Sequence, residues 1–345
     1  MTQGRALDEL MNSPVSVIVP VLNEADHLQA AVSAILNQEW APGIEVVLAV
    51  GPSNDGTEAV AASIAAADSR VRVVANPSGR TPDALNAAIG ASSHDPVIRV
   101  DAHTELPDAY IATAVRTLAD TGADNVGGIM HPTGRTDFER AVAVAMTSPV
   151  GVGSAVYHTG GQAGEAESVY MGAFRRQALE RVGGYDSRFT RAQDWEMNHR
   201  IRESGGTVWF TPELVVTYRP RPNLRALARQ YFQYGQWRRL VMKAHAQTRR
   251  RGSALRYLAP PALVIGLIAS LSCSIAGWLL PATPMVELLR DAIALPVGYL
   301  VAVVSASIWV GRRLRPAALV WLPCVIVVMH TAWGVGFLRG EKLPQ

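Results

Sequence analysis

The chain has 345 residues, with 32 Lys and Arg against 29 Asp and Glu, for a net charge of +3. That near balance excludes nucleic acid as the expected partner, and its two cysteines, Cys273 and Cys324, both lie in apolar runs, which argues against a disulfide framework or a zinc site. The overall hydrophobic fraction of 49% hides a division between an ordinary front half and a nearly uncharged tail.

Residues 1–14 read as an N-terminal extension. They carry Arg5, Asp8 and Glu9 and no apolar core of signal-peptide length, so the front domain is expected in the cytoplasm. Val15–Val19 is a β-rich run ending at Pro20 and predicts a buried parallel strand. Leu28, Val32, Ile35 and Leu36 recur at helical spacing and predict a helix over 25–37. Strands are expected at Ile44–Val50, Val71–Val74 and Pro96–Val100, with helices at 58–67 and 84–91 between them. Strand and helix in alternation predict an α/β domain with a parallel sheet. Ligands in such sheets sit beyond the carboxyl ends of the strands. Asn23, Glu24, Ser53, Asp55, Asp101 and His103 all follow predicted strands.

The next stretch is less regular. Strands are expected at 123–128, 168–174 and 207–210, and helices at 176–182 and 194–204. Residues 151–164 are glycine-rich, lack an apolar period and predict a mobile segment.

Leu224–Ala244 reads as an amphipathic helix within a basic stretch, 221–256. Leu227, Tyr231, Tyr234 and Leu240 fall near one face, with Arg225, Arg229, Arg239 and Lys243 away from it. Such a helix beside apolar runs suits the plane of a membrane interface; packing on the globular domain is the other reading. The tail, 257–339, holds three apolar runs near 258–280, 292–310 and 317–338, each about the ~20 residues that a hydrocarbon core requires. Arg249–Arg251 and Arg256 flank the first run, and Arg312, Arg313 and Arg315 separate the second from the third. The bias of cations toward the cytoplasm puts both flanks inside and the loop 281–291 outside. Three full spans then put Arg339 and Lys342 outside, against that bias. Pro296 also leaves a tilted or re-entrant second segment open.

Three carboxylates stand out. Asp55, in Ser53-Asn54-Asp55-Gly56-Thr57, is by itself an ordinary turn residue. Asp101 and His103 stand at i and i+2 after a strand, where both can face one cation. Asp194 opens a helix, where an acid is usually a cap but can also take a proton from an attacking hydroxyl. Tyr185 and Trp195 could wall a sugar face.

Together and in this order the segments are far more specific. Ser16–Glu24 (SVIVPVLNE), Asp55-Gly56-Thr57, Asp101-Ala102-His103, Val182–Asp186 with Gln193-Asp194, and Gln233–Trp237 (QYGQW) resemble the motifs of family 2 glycosyltransferases across residues 15–240. The resemblance implies a GT-A fold, a nucleotide-sugar-binding Rossmann-like domain, over 15–220. It also implies an inverting transfer from a UDP-sugar, with a divalent cation, Mn2+ or Mg2+. Residue by residue, Pro20, Glu24 and Asp55 would hold the uridine, and Arg80 would lie near base or phosphates. Asp101 would meet the ribose and diphosphate, and Asp101 and His103 would hold the metal. Asp194 would be the general base, while Gln233 and Trp237 would close on diphosphate and acceptor. The chain departs from the family pattern at His103, Gln193 and Gln236, where an acid, a Glu and an Arg are usual. An imidazole suits Mn2+ better than Mg2+. The last departure favours transfer of a single sugar over a processive polymerase.

With the apolar tail, this implies transfer of one hexose, of glucose type, to a polyprenyl-linked glycan at the cytoplasmic face of the cell membrane. Membrane lipid is then a further partner. A polyprenyl-phosphate sugar synthase and an inactive nucleotide-sugar-binding scaffold are the alternatives.

Overall fold

The computed structural model describes residues 9–153, 155–245, 257–281 and 283–341. The basic cluster 249–256, Lys342 and most of the N-terminal extension lie outside the described residues. Contacts divide the chain into two compact units. One comprises residues up to His131 together with Ala155–Tyr218; the other comprises Pro132–Ser154 together with the chain from Arg219 onward.

The first unit is built on an eight-stranded mixed sheet. Its strands are β1 (Val15–Val21), β2 (Ile44–Val50), β3 (Val71–Ala75), β4 (Val97–Arg99), β5 (Asn125–Pro132), β6 (Gly164–Glu165), β7 (Tyr170–Phe174) and β8 (Val208–Tyr218). They lie in the order β3-β2-β1-β4-β7-β5-β8-β6. β1, β2, β3 and β4 are parallel; β7 is antiparallel to both β4 and β5, and β6 to β8. The helices of this unit are α1 (Leu28–Leu36), α2 (Thr57–Ala67), α3 (Thr81–Ala91) and α4 (Tyr110–Thr121). After the segment of the second unit come α6 (Arg176–Val182) and α7 (Gln193–Glu203).

Side-chain alternation along β1, β2 and β4 sorts the sheet into two faces. Val17, Val19, Val46, Leu48, Ile98 and Val100 pack with α1, α2 and α4. Ile18, Val47, Ala49 and Val97 pack on the other face with α3, α6 and α7. Arg99 and Asp101 continue the series begun by Val97, so they fall on the face that α7 covers.

Within the second unit, α5 (Asp137–Met146) starts at a capping box in which the Thr136 hydroxyl accepts from the Glu139 N–H and the Glu139 carboxylate accepts from the Thr136 N–H. α8 (Leu224–Ala244) begins at Asn223, whose side chain accepts from the Ala226 N–H. Among the described residues there follow α9 (Ala259–Leu279), α10 (Pro284–Asp291), α11 (Ala294–Val310), the one-turn helix Pro316–Leu319 and α12 (Leu322–Arg339). The stretches Ala259–Leu279, Pro284–Val310 and Pro316–Arg339 are long and apolar enough to cross a membrane.

The structure corrects several sequence expectations. α4 and α5 were not anticipated, although Tyr110, Ile111, Ala114, Val115 and Leu118 keep helical spacing and Thr136–Glu139 is a capping-box signature. β8 runs to Tyr218 rather than ending at Phe210. Pro212 lacks an N–H to give to a ladder, yet the strand continues past it. Residues 151–164, expected as a glycine-rich mobile segment with no regular element assigned, include the one-turn helix Val156–Thr159 and the start of β6.

Ile18 is fully buried in the central strand. Ile18→Ala should destabilise the fold by about 2–5 kcal/mol, read as a lower melting temperature of the detergent-solubilised full chain.

Candidate active site

Two loops at the carboxyl ends of β1 and β2 form the first part of the site. Asn23 adopts a left-handed conformation (φ 55°), which Asn tolerates better than most residues. Its N–H donates to Ser53 Oγ (3.0 Å), and its side-chain oxygen accepts from the Asn54 N–H (3.0 Å). Gly56, with φ 91°, supplies the turn into α2. Asp55 Oδ1 accepts from the Thr57 hydroxyl (2.5 Å) and N–H (3.0 Å), and Oδ2 from the Ala25 N–H (3.1 Å). The Thr57 hydroxyl bond, with these backbone donors, holds the Asp55 carboxyl below the usual range. Thr57 Oγ1 also accepts from the Glu24 N–H (2.8 Å). Asp55 therefore clamps one loop to the other.

The Glu24 carboxylate lies between two imidazoles, 2.9 Å from His103 Nδ1 and 3.5 Å from His27 Nδ1. A carboxylate on one ring nitrogen of a histidine fixes the tautomer and leaves the other nitrogen basic, the arrangement that commonly backs a metal-ligating histidine. Asp101 and His103 supply one oxygen and one nitrogen donor, a set compatible with Mn2+. Among the described residues no group of three or more His, Cys, Asp or Glu is placed to hold a metal ion. By the chemistry of their donors, Asp101 and His103 would hold such an ion only with further ligands from outside the protein.

The second part of the site is an ion-pair bridge. Arg99 is 4% exposed. Its Nε donates to Asp101 Oδ1 at 2.9 Å, and its Nη1 donates to Asp194 Oδ1, a residue 95 positions away on α7. Asp194 sits in the first turn of α7, where the helix dipole favours negative charge. Ala192 just before it has φ 58°, a strained conformation for alanine. Burial pushes the Asp194 carboxyl above its ordinary range, and Arg99 pulls it back. Burial opposes the charge on Arg99, but Asp101 and Asp194 hold that guanidinium charged. Tyr110, Tyr170 and Tyr185 are pushed upward by burial, with the negative charge of Asp101 adding to it, so uncharged phenols surround the bridge.

Asp101 and Asp194 thus meet through Arg99, Glu24 meets His103, and Asp55 is tied to the loop that carries Glu24. Arg80 precedes α3 and pairs with Asp83 at 2.8 Å. Pro20 pairs with Ala49 in the β1–β2 register. Gln233 and Trp237 belong to the second unit, where Trp237 is buried. Tyr185 and Trp195, expected as an open wall for a sugar, are both buried, and Trp195 stacks on His199 with centroids 5.2 Å apart. Sequence reasoning missed Arg99. The signal was a lone cation inside the apolar strand Pro96-Val97-Ile98-Arg99-Val100, since a buried charge needs a partner.

Residues 16–183 match the family described as Glycosyl transferase family 2. The chain is also 32% identical over 336 residues to succinoglycan biosynthesis protein ExoA of Rhizobium meliloti (strain 1021), covering 96% of each chain. The chain belongs to glycosyl transferase family 2. It is 20% identical over 335 residues to a dolichyl N-acetyl-alpha-D-glucosaminyl phosphate 3-beta-D-2,3-diacetamido-2,3-dideoxy-beta-D-glucuronosyltransferase of Methanococcus voltae, covering 94% of this chain and 96% of that one. Among solved structures, it resembles the mannosyltransferase PcManGT of Pyrobaculum calidifontis, in complex with GDP-Man and Mn2+. The TM-score is 0.60 at 21% identity, over 95% of this chain and 91% of that one. The family and this likeness establish the GT-A fold and a glycosyltransferase.

Loss of the Arg99 charge should raise the Asp194 pKa further, because the carboxylate loses its countercharge. Arg99→Met should therefore lower turnover at neutral pH and move the acid limb of the kcat/KM profile to higher pH, while Arg99→Lys keeps the limb near wild type. A pH–rate profile of the three proteins checks this.

Proposed function

We propose that the chain transfers one hexose, of glucose type, from a UDP-sugar to a lipid-linked saccharide, with inversion, in polysaccharide or glycolipid biosynthesis. The observation that carries the reading is the Asp101–Arg99–Asp194 bridge, which ties the strand-end carboxylate to the helix-start carboxylate. The named activities of the relatives support the acceptor class: one is a succinoglycan biosynthesis protein, and another acts on a dolichyl-phosphate-linked sugar. The apolar helices of the second unit suit an acceptor anchored in a bilayer. The choice of UDP and of a glucose-type sugar rests on family resemblance, as do the placement of the catalytic unit in the cytoplasm and the roles of Pro20, Arg80, Gln233 and Trp237.

In this mechanism the acceptor hydroxyl attacks the anomeric carbon from the face opposite the leaving diphosphate. Asp194 Oδ2 takes the hydroxyl proton as the C–O bond forms, and the nucleoside diphosphate departs with the electron pair of the broken bond. Arg99 holds Oδ1 and so aims the carboxylate. Asp55 and Asn23 shape the loops that receive the nucleoside, and Asp101 and His103 would hold a divalent cation. Bound there, the cation supplies positive charge to the diphosphate.

Asp194→Asn should lose roughly 10²–10⁴-fold in kcat, the usual contribution of a positioned general base, and keep donor affinity. Asp101→Ala should instead weaken UDP binding in calorimetry. Near-normal turnover of the first variant, or unchanged UDP affinity of the second, would remove the assigned role. A panel of radiolabelled nucleotide sugars with extracted membrane lipids identifies the donor. Mass spectrometry of the product, diphosphate or monophosphate, separates a lipid-linked saccharide acceptor from a lipid phosphate.

A further inference from the structure

Asp194 is reached through residues 183–192, a stretch without helix or strand between α6 and α7. It starts with Gly183 and Gly184, both left-handed (φ 73° and 71°), so the backbone here is intrinsically free. One side chain from elsewhere in the catalytic unit holds it. Asn86 lies inside α3, 99 positions before Tyr185. Its Oδ1 accepts from the Tyr185 N–H (2.8 Å), and its Nδ2 donates to the Tyr185 carbonyl (2.7 Å). Both ends of one amide thus meet the backbone of one residue. The opposite orientation of the amide would set oxygen against carbonyl and N–H against N–H.

Two further observations belong with this contact. A Cβ on Gly184 would come 2.6 Å from Asn86 Oδ1, so the glycine is what lets the amide approach. Asp83, one turn earlier on α3, takes a hydrogen bond from the Ser187 side chain. Asn is also a poor residue for a helix interior, where its side chain competes with the backbone. At position 86 that side chain is spent on a distant partner instead.

The contact leads to the ion-pair bridge. α3 is fixed on the sheet through Ala84, Leu85 and Ala88, which pack with Ile18, Val47 and Val97. Tyr185 is 3% exposed and meets Phe174 edge-on, with ring centroids 6.3 Å apart. The charges of Asp194 and Arg99 both act on its phenol, so the ring lies beside that pair. The path runs from the sheet to α3, from Asn86 to the Tyr185 backbone, and from the Tyr185 ring to Arg99 and Asp194.

We infer that Asn86 is a positioning residue for sugar transfer: its amide fixes the Tyr185 backbone and so holds the Tyr185 ring against the Arg99–Asp194 pair. The inference rests on the reading of Asp194 as the general base. Asn86 acts through Tyr185 and not on the substrate. The bonds that tie the loops after β1 and β2, made by Asn23, Asp55 and Thr57, do not involve Asn86. Its loss should therefore slow the chemical step and leave nucleotide binding intact.

The test uses the full-length chain in detergent, with the nucleotide sugar selected by the radiolabel panel and extracted membrane lipid. Asn86→Ala should lower kcat roughly 10–100-fold, the scale of a misplaced reacting group, with UDP affinity in calorimetry unchanged. Asn86→Asp keeps the shape but sets an ionised oxygen against the Tyr185 carbonyl, and should be as slow at neutral pH. Hydrogen exchange, which needs no substrate, should be faster across residues 183–192 in Asn86→Ala. In a Tyr185→Leu background, Asn86→Ala should lower kcat little further, because the ring through which it acts is gone; a merely structural residue would give additive losses. Unchanged exchange, wild-type turnover of either Asn86 variant, or additive losses overturn the inference. Asp194→Asn, measured alongside, separates the two readings. If it is slow while Asn86→Ala is normal, only the role of Asn86 falls. If Asp194→Asn is itself normal, the general base and this inference fall together.

Discussion

One buried guanidinium organises the catalytic unit. Arg99 stands where β4 runs out and gives one hydrogen bond to Asp101, two residues on, and another to Asp194, at the start of a helix almost a hundred residues later. A charge that is 4% exposed is stable only when paired, and removing one partner of a buried pair typically costs roughly 3–5 kcal/mol. The same constraint works in the other direction. Two carboxylates flanked by buried tyrosines would repel each other and draw protons without a cation between them. Arg99 therefore opposes the upward push of burial on the Asp194 carboxyl and also holds its Oδ1.

The sheet makes this possible through its period of two. Val97, Arg99 and Asp101 share a face, and on that face α7 packs through Met197 and Ile201. A one-residue slip in the pairing of β4 with β1 would send Arg99 and Asp101 into the opposite core, among Ile98 and Val100. The apolar partners on both faces thus set the register, and the register decides that Arg99 meets Asp101 and Asp194. The Asp55 clamp serves a similar purpose at the neighbouring strand ends, since it joins the loops after β1 and β2 through Ala25 and Thr57.

The second unit shows how much helix packing can add to composition. By hydropathy alone α12 is equivalent to α9 and α11. Its neighbours distinguish it: α5 and α8 cover one side, and the glycines at 235 and 336 bring the α8 and α12 backbones into close approach.

Most of the architecture was legible in the sequence because it is local. Val15–Val21 and Ile44–Val50 are continuous apolar runs bounded by turns, and the basic helix at 224–244 has its period written in it. The ordered motifs at 23–24, 55–57, 101–103 and 193–194 were enough to identify the family before any coordinates. α4 and α5 were legible too, from spacing and a capping box, and were overlooked. The role of Arg99 was not, because it depends on which face of a strand meets which helix, and Asp194 is distant in the chain. The burial of Tyr185 and Trp195 and the neighbours of α12 were hidden for the same reason. By itself, then, the sequence determined the alternation of elements, the family and the candidate carboxylates, since periodicity and short-range motifs are properties of adjacent residues. Tertiary structure alone decided which carboxylates share a cation and what covers each apolar helix, because both depend on contacts between segments that the chain order does not specify.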